Sequence, residues 1–413
     1  MTGFLASLHQ NRALFRDLVS RDLKSRYVGS SMGFFWSVLF PIINLLVFSF
    51  VFRVILNTRW GDEQGALEVA LVMLAGIVVW SAFAESLSRS ANCLVDNANL
   101  IQKVVFPASI LPVYLTVSAV VNMCIGLPIV FGSVIWFGYV SEPRAAIERE
   151  HMFVEVWEGY DPAADPNLPV PRIFISTERA WHESTVVALE YGGTATRGVD
   201  YVAPHDEVEI PADRSRIYVP IVPIRDVAIE GDETIEVRIV DAGGRTLWQD
   251  AISITLKDNV LEPGEIRDLE LSSAPYVSAS IGENHALSLG PSLLALPLLL
   301  ALLIAFTVGL GSFLATLNLY WRDTVHLVGV GVTMWMFATP IFYPAGLVEP
   351  TPFWWLLRIN PMHWFIEMFR QVTCFGLWPD ARFLAMFTAA TALVLVAGTR
   401  FFRKHQARFP DLL

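Results

Sequence analysis

The residues of this chain that can do chemistry are charges and rings, clustered for electrostatic and surface contact rather than covalent catalysis. Near the amino terminus Arg16, Arg21, Lys24 and Arg26 follow one another at helical spacing. On a helical wheel Leu14, Phe15, Leu18, Val19 and Leu23 fill one half, while Arg16, Asp17, Ser20, Arg21 and Lys24 fill the other. That pattern describes either an amphipathic helix lying on a membrane or a basic flank that fixes topology. Asp22 interrupts the apolar half. The stretch 88–106 mixes Asn92, Asp96, Asn97, Asn99 and Lys103 with Leu94, Leu100 and Ile101. Such a mixture suits a short helix laid across a partner's groove, or an ordinary solvated turn. Arg322 and Asp323 stand side by side, as a surface ion pair would. From 344 to 380 the rings crowd: Phe353, Trp354, Trp355, Trp364, Phe365, Phe369, Phe375 and Trp378. Trp and Tyr form such belts at the level of lipid headgroups.

Other chemistries are excluded. The sequence shows no arrangement of nucleophile, base and oxyanion donors. It has no Gly-rich loop ending in Lys-Ser or Lys-Thr to cradle nucleotide phosphates. Cys93, Cys124 and Cys374 are too far apart for a metal or redox motif and read as small apolar residues.

The elements that must position these clusters are membrane spans. Hydrophobic residues make up 54% of the 413, and a span needs about 20 mostly apolar residues to cross roughly 30 Å of hydrocarbon. Six stretches qualify, near 33–52, 67–87, 108–139, 287–319, 325–343 and 383–402. The first apolar run begins only near Gly33, so no cleaved signal peptide is expected. Asn44, Glu85, Asn122, Asn318 and Glu367 fall at membrane depth, where a charge must face protein or water.

Charge separates the chain into two kinds of material. Between Ser141 and Gly290 there are 28 acids against 12 bases; the remainder holds 12 acids and 17 bases. The acidic part argues against nucleic acid as a partner, because phosphate must be offset by Lys and Arg. Bases cluster before the first span, between the second and third (Arg89, Lys103), and after the sixth (Arg400, Arg403, Lys404, Arg408). With six spans these all lie on one side, the cytoplasm, and the acidic loop faces outward.

Within that loop, 172–260 alternates at the strand period. Ile173 and Ile175, then Val186, Ala188 and Glu190, then Val208 and Ile210, Ile217 and Val219, Ile235 and Val237, and Ile252 and Ile254 carry the pattern. Gly192-Gly193, Gly198, Gly231 and Gly243-Gly244 punctuate it, as in an antiparallel sandwich. The flanks 141–171 and 260–290 are expected to be stalks. The fold class is thus a membrane all-α part of six transmembrane helices plus an inserted all-β antiparallel sandwich. Its domains are an interface helix (1–32), spans one to three (33–140), the external insert (141–286), and spans four to six (287–413) with an aromatic stretch at 344–380.

Three local patterns resemble ABC exporter permeases for polysaccharides, O-antigens and teichoic acids. These are Leu23-Lys24-Ser25-Arg26-Tyr27-Val28-Gly29-Ser30 followed by Gly33-Phe34-Phe35-Trp36 and Pro41; Asn99-Leu100-Ile101 with Lys103-Val104-Val105-Phe106-Pro107; and Tyr320-Trp321-Arg322-Asp323 with Thr339-Pro340-Ile341-Phe342-Tyr343-Pro344, Asn360-Pro361-Met362 and Phe369-Arg370. The resemblance implies a two-copy channel served by two ABC ATPase subunits, which bind ATP and magnesium while this chain binds no cofactor directly. It implies a lipid-linked glycan as substrate in a bacterial inner membrane, among membrane lipids, with no nucleic acid and both termini cytoplasmic. Asp96, Asn97, Asn99, Leu100, Ile101 and Lys103 would contact the ATPase. Arg16, Arg21, Lys24, Arg26, Arg322 and Asp323 would meet the lipid pyrophosphate or the gate. The aromatic stretch 344–380 would form a pair of re-entrant helices, on which Trp354, Trp355, Trp364, Phe365 and Phe369 would line the channel exit.

The insert resembles a Calx-β domain through Gly193-Thr194-Ala195-Thr196, Gly198-Val199-Asp200-Tyr201, Ile224-Arg225-Asp226, Glu230-Gly231-Asp232-Glu233-Thr234 and Leu256-Lys257-Asp258-Asn259. By that resemblance Glu178, Asp200, Asp226, Glu230, Glu233 and Asp258 are the candidate calcium ligands. Arg225 and Lys257 depart from the calcium-binding pattern and favour internal salt bridges instead. Rival readings are a sodium/calcium exchanger, an exporter of drugs or small lipids, and a membrane-anchored glycan- or calcium-binding module. The exchanger is disfavoured because the spans lack its deep acidic residues.

Overall fold

The structure, a computed structural model, describes residues 10–26, 39, 42–43, 46–47, 50, 66–103, 106–140, 144–149, 155–157, 172–177, 181–203, 205–224, 231–257, 286–343, 345, 348 and 351–413. They form two compact units: a helical one including Ala70–Ile135 and Ser288–Leu413, and a β-rich one including Trp136–Leu287.

The helical unit begins with α1 (Arg12–Ser25). Among the described residues four helices are long and apolar enough to cross a membrane, Ala70–Asp96, Ile110–Val140, Pro291–Tyr320 and Ala381–Leu412, which makes the chain a multi-pass membrane protein. They correspond to α2 (Ala66–Asp96), α4 (Ile110–Ile135), α5 (Leu296–Tyr320) and α9 (Ala381–His405). They answer to the second, third, fourth and sixth expected spans. Of the first, 33–52, only isolated positions are described, each of them helical; the remainder lies outside the described residues.

The fifth span needs correction. Helix α6 (Thr324–Phe337) has 14 residues, about 21 Å at 1.5 Å per residue, too short to cross alone. Pro340 explains the stop: it has no N–H to continue the ladder and pushes the residue before it out of helical geometry. After the break come the short helices α7 (Trp354–Ile359) and α8 (Pro361–Cys374). Between α2 and α4 lies the six-residue α3 (Ala98–Lys103), and α10 (Phe409–Leu412) closes the chain.

Where hydrophobic driving force is absent, small residues let helices approach closely. Helix α5 meets α9 at such a point: a Cβ on Gly398 would lie 1.9 Å from the Gly309 carbonyl oxygen. A Cβ on Gly311 would lie 2.8 Å from the Ser90 side chain on α2.

The β unit has strands β1 (Ala145–Arg149), β2 (Glu155–Trp157), β3 (Arg172–Thr177), β4 (Thr185–Gly193), β5 (Tyr201–Val202), β6 (Glu207–Ile210), β7 (Arg216–Pro220), β8 (Val222–Pro223), β9 (Glu233–Asp241), β10 (Leu247–Gln249) and β11 (Ala251–Lys257). They build a four-stranded sheet in the order β10-β1-β3-β7, a five-stranded sheet in the order β2-β11-β9-β4-β6, and the small pair β5-β8. Ile173, Ile175, Val187, Ile217, Val219, Ile235, Val237 and Ile254 fill the core.

Three expectations change here. The first described strand of the sandwich is at Ala145, because β1 and β2 join its sheets, so 145–149 and 155–157 are not stalk. Two pairings are parallel, β1 with β10 and β2 with β11, so the fold is not wholly antiparallel. In β4 the phase is opposite to that expected: Val187 and Leu189 point inward, while Val186 and Glu190 are exposed. Gly193 is required by geometry, since its φ is +109° and a Cβ would sit 2.1 Å from the Thr234 carbonyl oxygen.

Gly398→Val should force α5 and α9 apart and destabilise the protein by at least about 1–3 kcal/mol. Gly329→Ala, where a Cβ meets nothing within 4 Å, should be close to neutral. Thermal unfolding of the two purified variants in detergent checks the contrast.

Candidate functional site

Asp22, the charge that spoils the apolar half of α1, is buried. Its carboxylate accepts from Arg89 of α2, at 3.1 Å from Nη1, from Ser118 of α4, and from Arg26 at 3.2 Å. Arg26 also pairs with Glu85, which in turn lies 3.1 Å from Arg89 Nη1. Two acids and two bases thus close a ring that joins α1 to α2, with Ser118 adding α4. Burial alone would raise the Asp22 pKa, yet the hydrogen bonds from Arg89 and Ser118 and the charges of Arg89 and Arg26 hold it below the ordinary carboxylate value. The apolar face of α1 packs onto the same bundle, with Phe15 against the cluster of Val113 and Val308. The opposite face leaves Arg16, Arg21 and Lys24 exposed, and Asp17, Ser20, Arg21, Lys24 and Ser25 line an open polar groove. Of the four expected basic contacts, Arg26 is corrected: its guanidinium is engaged in the internal ring, so three cations face outward.

The loop after α2 is held from behind and open in front. Asn97 donates to the Cys93 carbonyl at 2.8 Å, ending α2. Ile101 packs with Phe106, Leu412 and Leu413 on a cluster that includes Cys93, Leu111, Leu319 and Phe409. The carboxyl-terminal residues therefore brace α3, a support that spacing alone did not reveal. Asp96, Asn99, Leu100 and Lys103 are exposed; Leu100, at 42%, is far more open than a leucine with packing of its own.

The break after α6 is satisfied by two side chains of α8. Asn360 caps that helix by accepting from the Met362 N–H at 3.0 Å and from the Trp335 indole at 2.9 Å. Its amide donates to the Ala338 carbonyl at 3.2 Å and to Thr339 Oγ1 at 2.9 Å. Arg370, 3% exposed, donates to the carbonyls of Pro340 (2.9 Å), Ile341 (3.1 Å) and Val72 on α2 (3.0 Å), and to Glu367 (3.0 Å). The Thr339-Pro340, Asn360-Pro361 and Phe369-Arg370 motifs, apart in sequence, are brought together here.

The remaining expected residues divide. Arg322 and Asp323 are exposed at the turn between α5 and α6. Trp354 and Trp355 are exposed, the former 4.1 Å from the Arg358 guanidinium, and Trp364 is half-buried. Phe365 and Phe369 are corrected to core: both are fully buried, and Phe365 packs on Phe387 with centroids 5.1 Å apart. They share the inner face of α8 because they are one helical turn apart. In the β unit, Glu178, Asp226, Glu230 and Asp258 lie outside the described residues. Asp200 accepts from the Thr196 N–H at 2.6 Å, a turn-closing bond. Lys257 pairs with Asp232, and no cluster of three or more metal-ligating side chains occurs among the described residues.

The family model described as ABC-2 type transporter matches residues 13–153 and 284–373, leaving out most of the β unit. The chain is 33% identical over 129 residues to the O-antigen export system permease protein RfbA of Myxococcus xanthus, covering 31% of this chain and 47% of that one. It is 30% identical over 95 residues to a protein of the same name from Klebsiella pneumoniae, covering 23% and 34%. A second Klebsiella pneumoniae protein of that name is 25% identical over 121 residues, covering 29% and 44%. The matched part thus spans half or less of each of these relatives. Among solved structures, the apo-form Calx CBD1 domain covers 28% of this chain and 98% of its own, at 19% identity and a TM-score of 0.23; a likeness that weak carries no argument, and the sandwich rests on its own sheet order.

Asp22→Asn should leave Arg89 and Arg26 sharing Glu85 alone and cost about 1–3 kcal/mol, the scale of lost charged hydrogen bonds. Adding Arg89→Gln should recover part of the loss, because the excess positive charge goes with it. Unfolding midpoints of the single and double variants measure the coupling.

Proposed function

Because the chain belongs to the ABC-2 type transporter family, we propose that it is the membrane subunit of an ATP-driven exporter that moves a lipid-linked polysaccharide outward across a bacterial inner membrane. The observation that carries this reading is the family match, together with the O-antigen export permeases among its relatives. The chemistry is conformational. ATP and magnesium belong to a separate ATPase subunit, and two copies of each chain make the working unit.

Local geometry supports each part. Helix α3 presents Asn99, Leu100 and Lys103 outward while Ile101 anchors it, which suits docking into an ATPase groove. Arg16, Arg21 and Lys24 on the exposed face of α1 suit the pyrophosphate of a lipid carrier. Leu327, Val330, Met334 and Phe337 form an exposed stripe on α6 at the three-and-four spacing of a helix–helix seam, which suits a second copy of this chain. The distribution of Lys and Arg supports cytoplasmic termini and an outward-facing insert. The pairing of Lys257 with Asp232 favours a structural or glycan-facing role for the sandwich over a calcium site.

Deleting the gene should abolish surface polysaccharide, and the tagged chain should copurify with an ABC ATPase. Replacing Asn99, Leu100 and Lys103 together with Ala should weaken that association at least about tenfold, the scale of one interface anchor. Arg21→Gln with Lys24→Gln should lower export while leaving insertion and ATPase association intact. Normal surface glycan in the deletion strain refutes the reading.

A further inference from the structure

Helix α8 is more telling than its apolar neighbours. Of its 14 residues, all are buried except Pro361, Trp364, Glu367 and Gln371. Those positions recur every three or four residues and so form one narrow stripe. The stripe carries a ring, a carboxylate and an amide.

Its depth follows from neighbouring contacts. Gln371 Oε1 accepts from the N–H of Asp380 at 2.9 Å, and Asp380 is the N-cap of α9, so Gln371 is level with the start of that span. Going back along α8 toward Asn360 leads into the bundle, where Phe365 meets Phe387, well inside α9. Glu367 lies about one turn deeper than Gln371 and Trp364 about two, near 6 and 10 Å. Arg370 fixes the depth independently, because it reaches the carbonyl of Val72 inside the α2 span.

A carboxylate there must face water or protein. Arg370 holds one oxygen of Glu367 at 3.0 Å, yet 31% of the Glu367 side chain remains open, whereas Arg370 itself is 3% exposed. Arg370 also spends donors on three backbone carbonyls. The pair therefore turns its anionic half outward and buries its cationic half. Facing lipid, such a group would carry a cost of several kcal/mol; facing water, it costs little.

We infer that the Trp364–Glu367–Gln371 stripe of α8 lines an aqueous pathway and contacts a polyhydroxylated glycan. The carboxylate accepts hydrogen bonds from sugar hydroxyls, the amide of Gln371 both donates and accepts, and the ring of Trp364 offers a flat apolar face to sugar C–H groups. The glycan contact rests on the transport function proposed above; the water-facing orientation rests on geometry alone.

The test introduces single cysteines by Glu367→Cys, Gln371→Cys and, as a lipid-facing control, Leu393→Cys, whose parent side chain on α9 is 72% exposed. A charged, membrane-impermeant thiosulfonate is applied from outside to cells, with the three native cysteines setting the background. Positions 367 and 371 should react at least about tenfold faster than 393, given what a charge costs in hydrocarbon. In cells making the polysaccharide their labelling should be slower than in cells blocked in its synthesis. Labelling no faster than at 393 overturns the pathway, whatever the substrate. Fast labelling that is indifferent to glycan synthesis overturns the glycan contact while sparing the orientation. The side chain of Gln371 bonds Asp380 rather than taking part in the Glu367–Arg370 pair, so position 371 reports even if Glu367→Cys fails to fold. Failure of the transport reading appears separately, as normal surface glycan in the deletion strain.

Discussion

Hydrocarbon offers no hydrogen bonds, and the place where α6 stops is where that constraint presses hardest. A helix that ends inside the bilayer frees carbonyls which water would otherwise satisfy, each worth about 1–3 kcal/mol if left bare. Arg370 answers for Pro340 and Ile341 and Asn360 for Ala338. Arg370 can do so because a guanidinium has five donors in a fixed plane, and it can be buried because Glu367 and the carbonyls surround it. A Lys there would have three donors on a flexible stem and could not span the same acceptors. The short α6, the turn after it and the cap of α8 form one unit organised by these two side chains. A Cβ on Gly76 would come within 3.0 Å of the Arg370 guanidinium, so even α2 is shaped to admit it.

The same constraint accounts for the ring around Asp22. An unpaired carboxylate on the inner face of α1 would be expelled or protonated; with Arg89, Arg26 and Ser118 it becomes the point at which α1 is fixed to the bundle. The link matters mechanically because Arg89 lies on the same helix that ends at Asp96, just before α3. Helix α2 is thus the element that joins α3 to the residues that hold α1. Ile101 and the carboxyl-terminal leucines keep α3 packed to that lever, so the exposed side chains of α3 and the exposed cations of α1 belong to one body.

Much of this was legible in the sequence, and the failures have physical reasons. Long apolar runs announced four spans because length and hydropathy are properties of a segment by itself. The fifth misled because 325–343 is apolar throughout, and the stop depends on Pro340 and on partners 20 to 30 residues away. Phe365 and Phe369 counted as exit rings because composition cannot tell the two faces of α8 apart; the inner face is marked by Phe387, itself packed on Phe306, from another helix. Arg26 looked like its basic neighbours, and Asp22 together with Glu85, distant in sequence, removes it from the surface. Signals for the missed features did exist. Asp22 breaks an apolar half-wheel, and Glu85 and Arg89 are one turn apart on an otherwise apolar span. In the β unit the opposite phase of β4 and the strands β1 and β2 escaped notice because pairing, not local alternation, defines them.

Two ion pairs now stand in contrast, and their difference explains more than their presence. Around Asp22 the buried member is the acid and the bases keep partial access to solvent; around Arg370 the buried member is the base and the acid looks outward. Each arrangement leaves the sign that suits its surroundings. At α1 the accessible cations suit anionic headgroups, while at α8 an accessible carboxylate suits neutral hydroxyls and would repel phosphate. On the function proposed above, a substrate with an anionic anchor and a hydroxyl-rich body would meet α1 at its charged end and α8 at its sugar end.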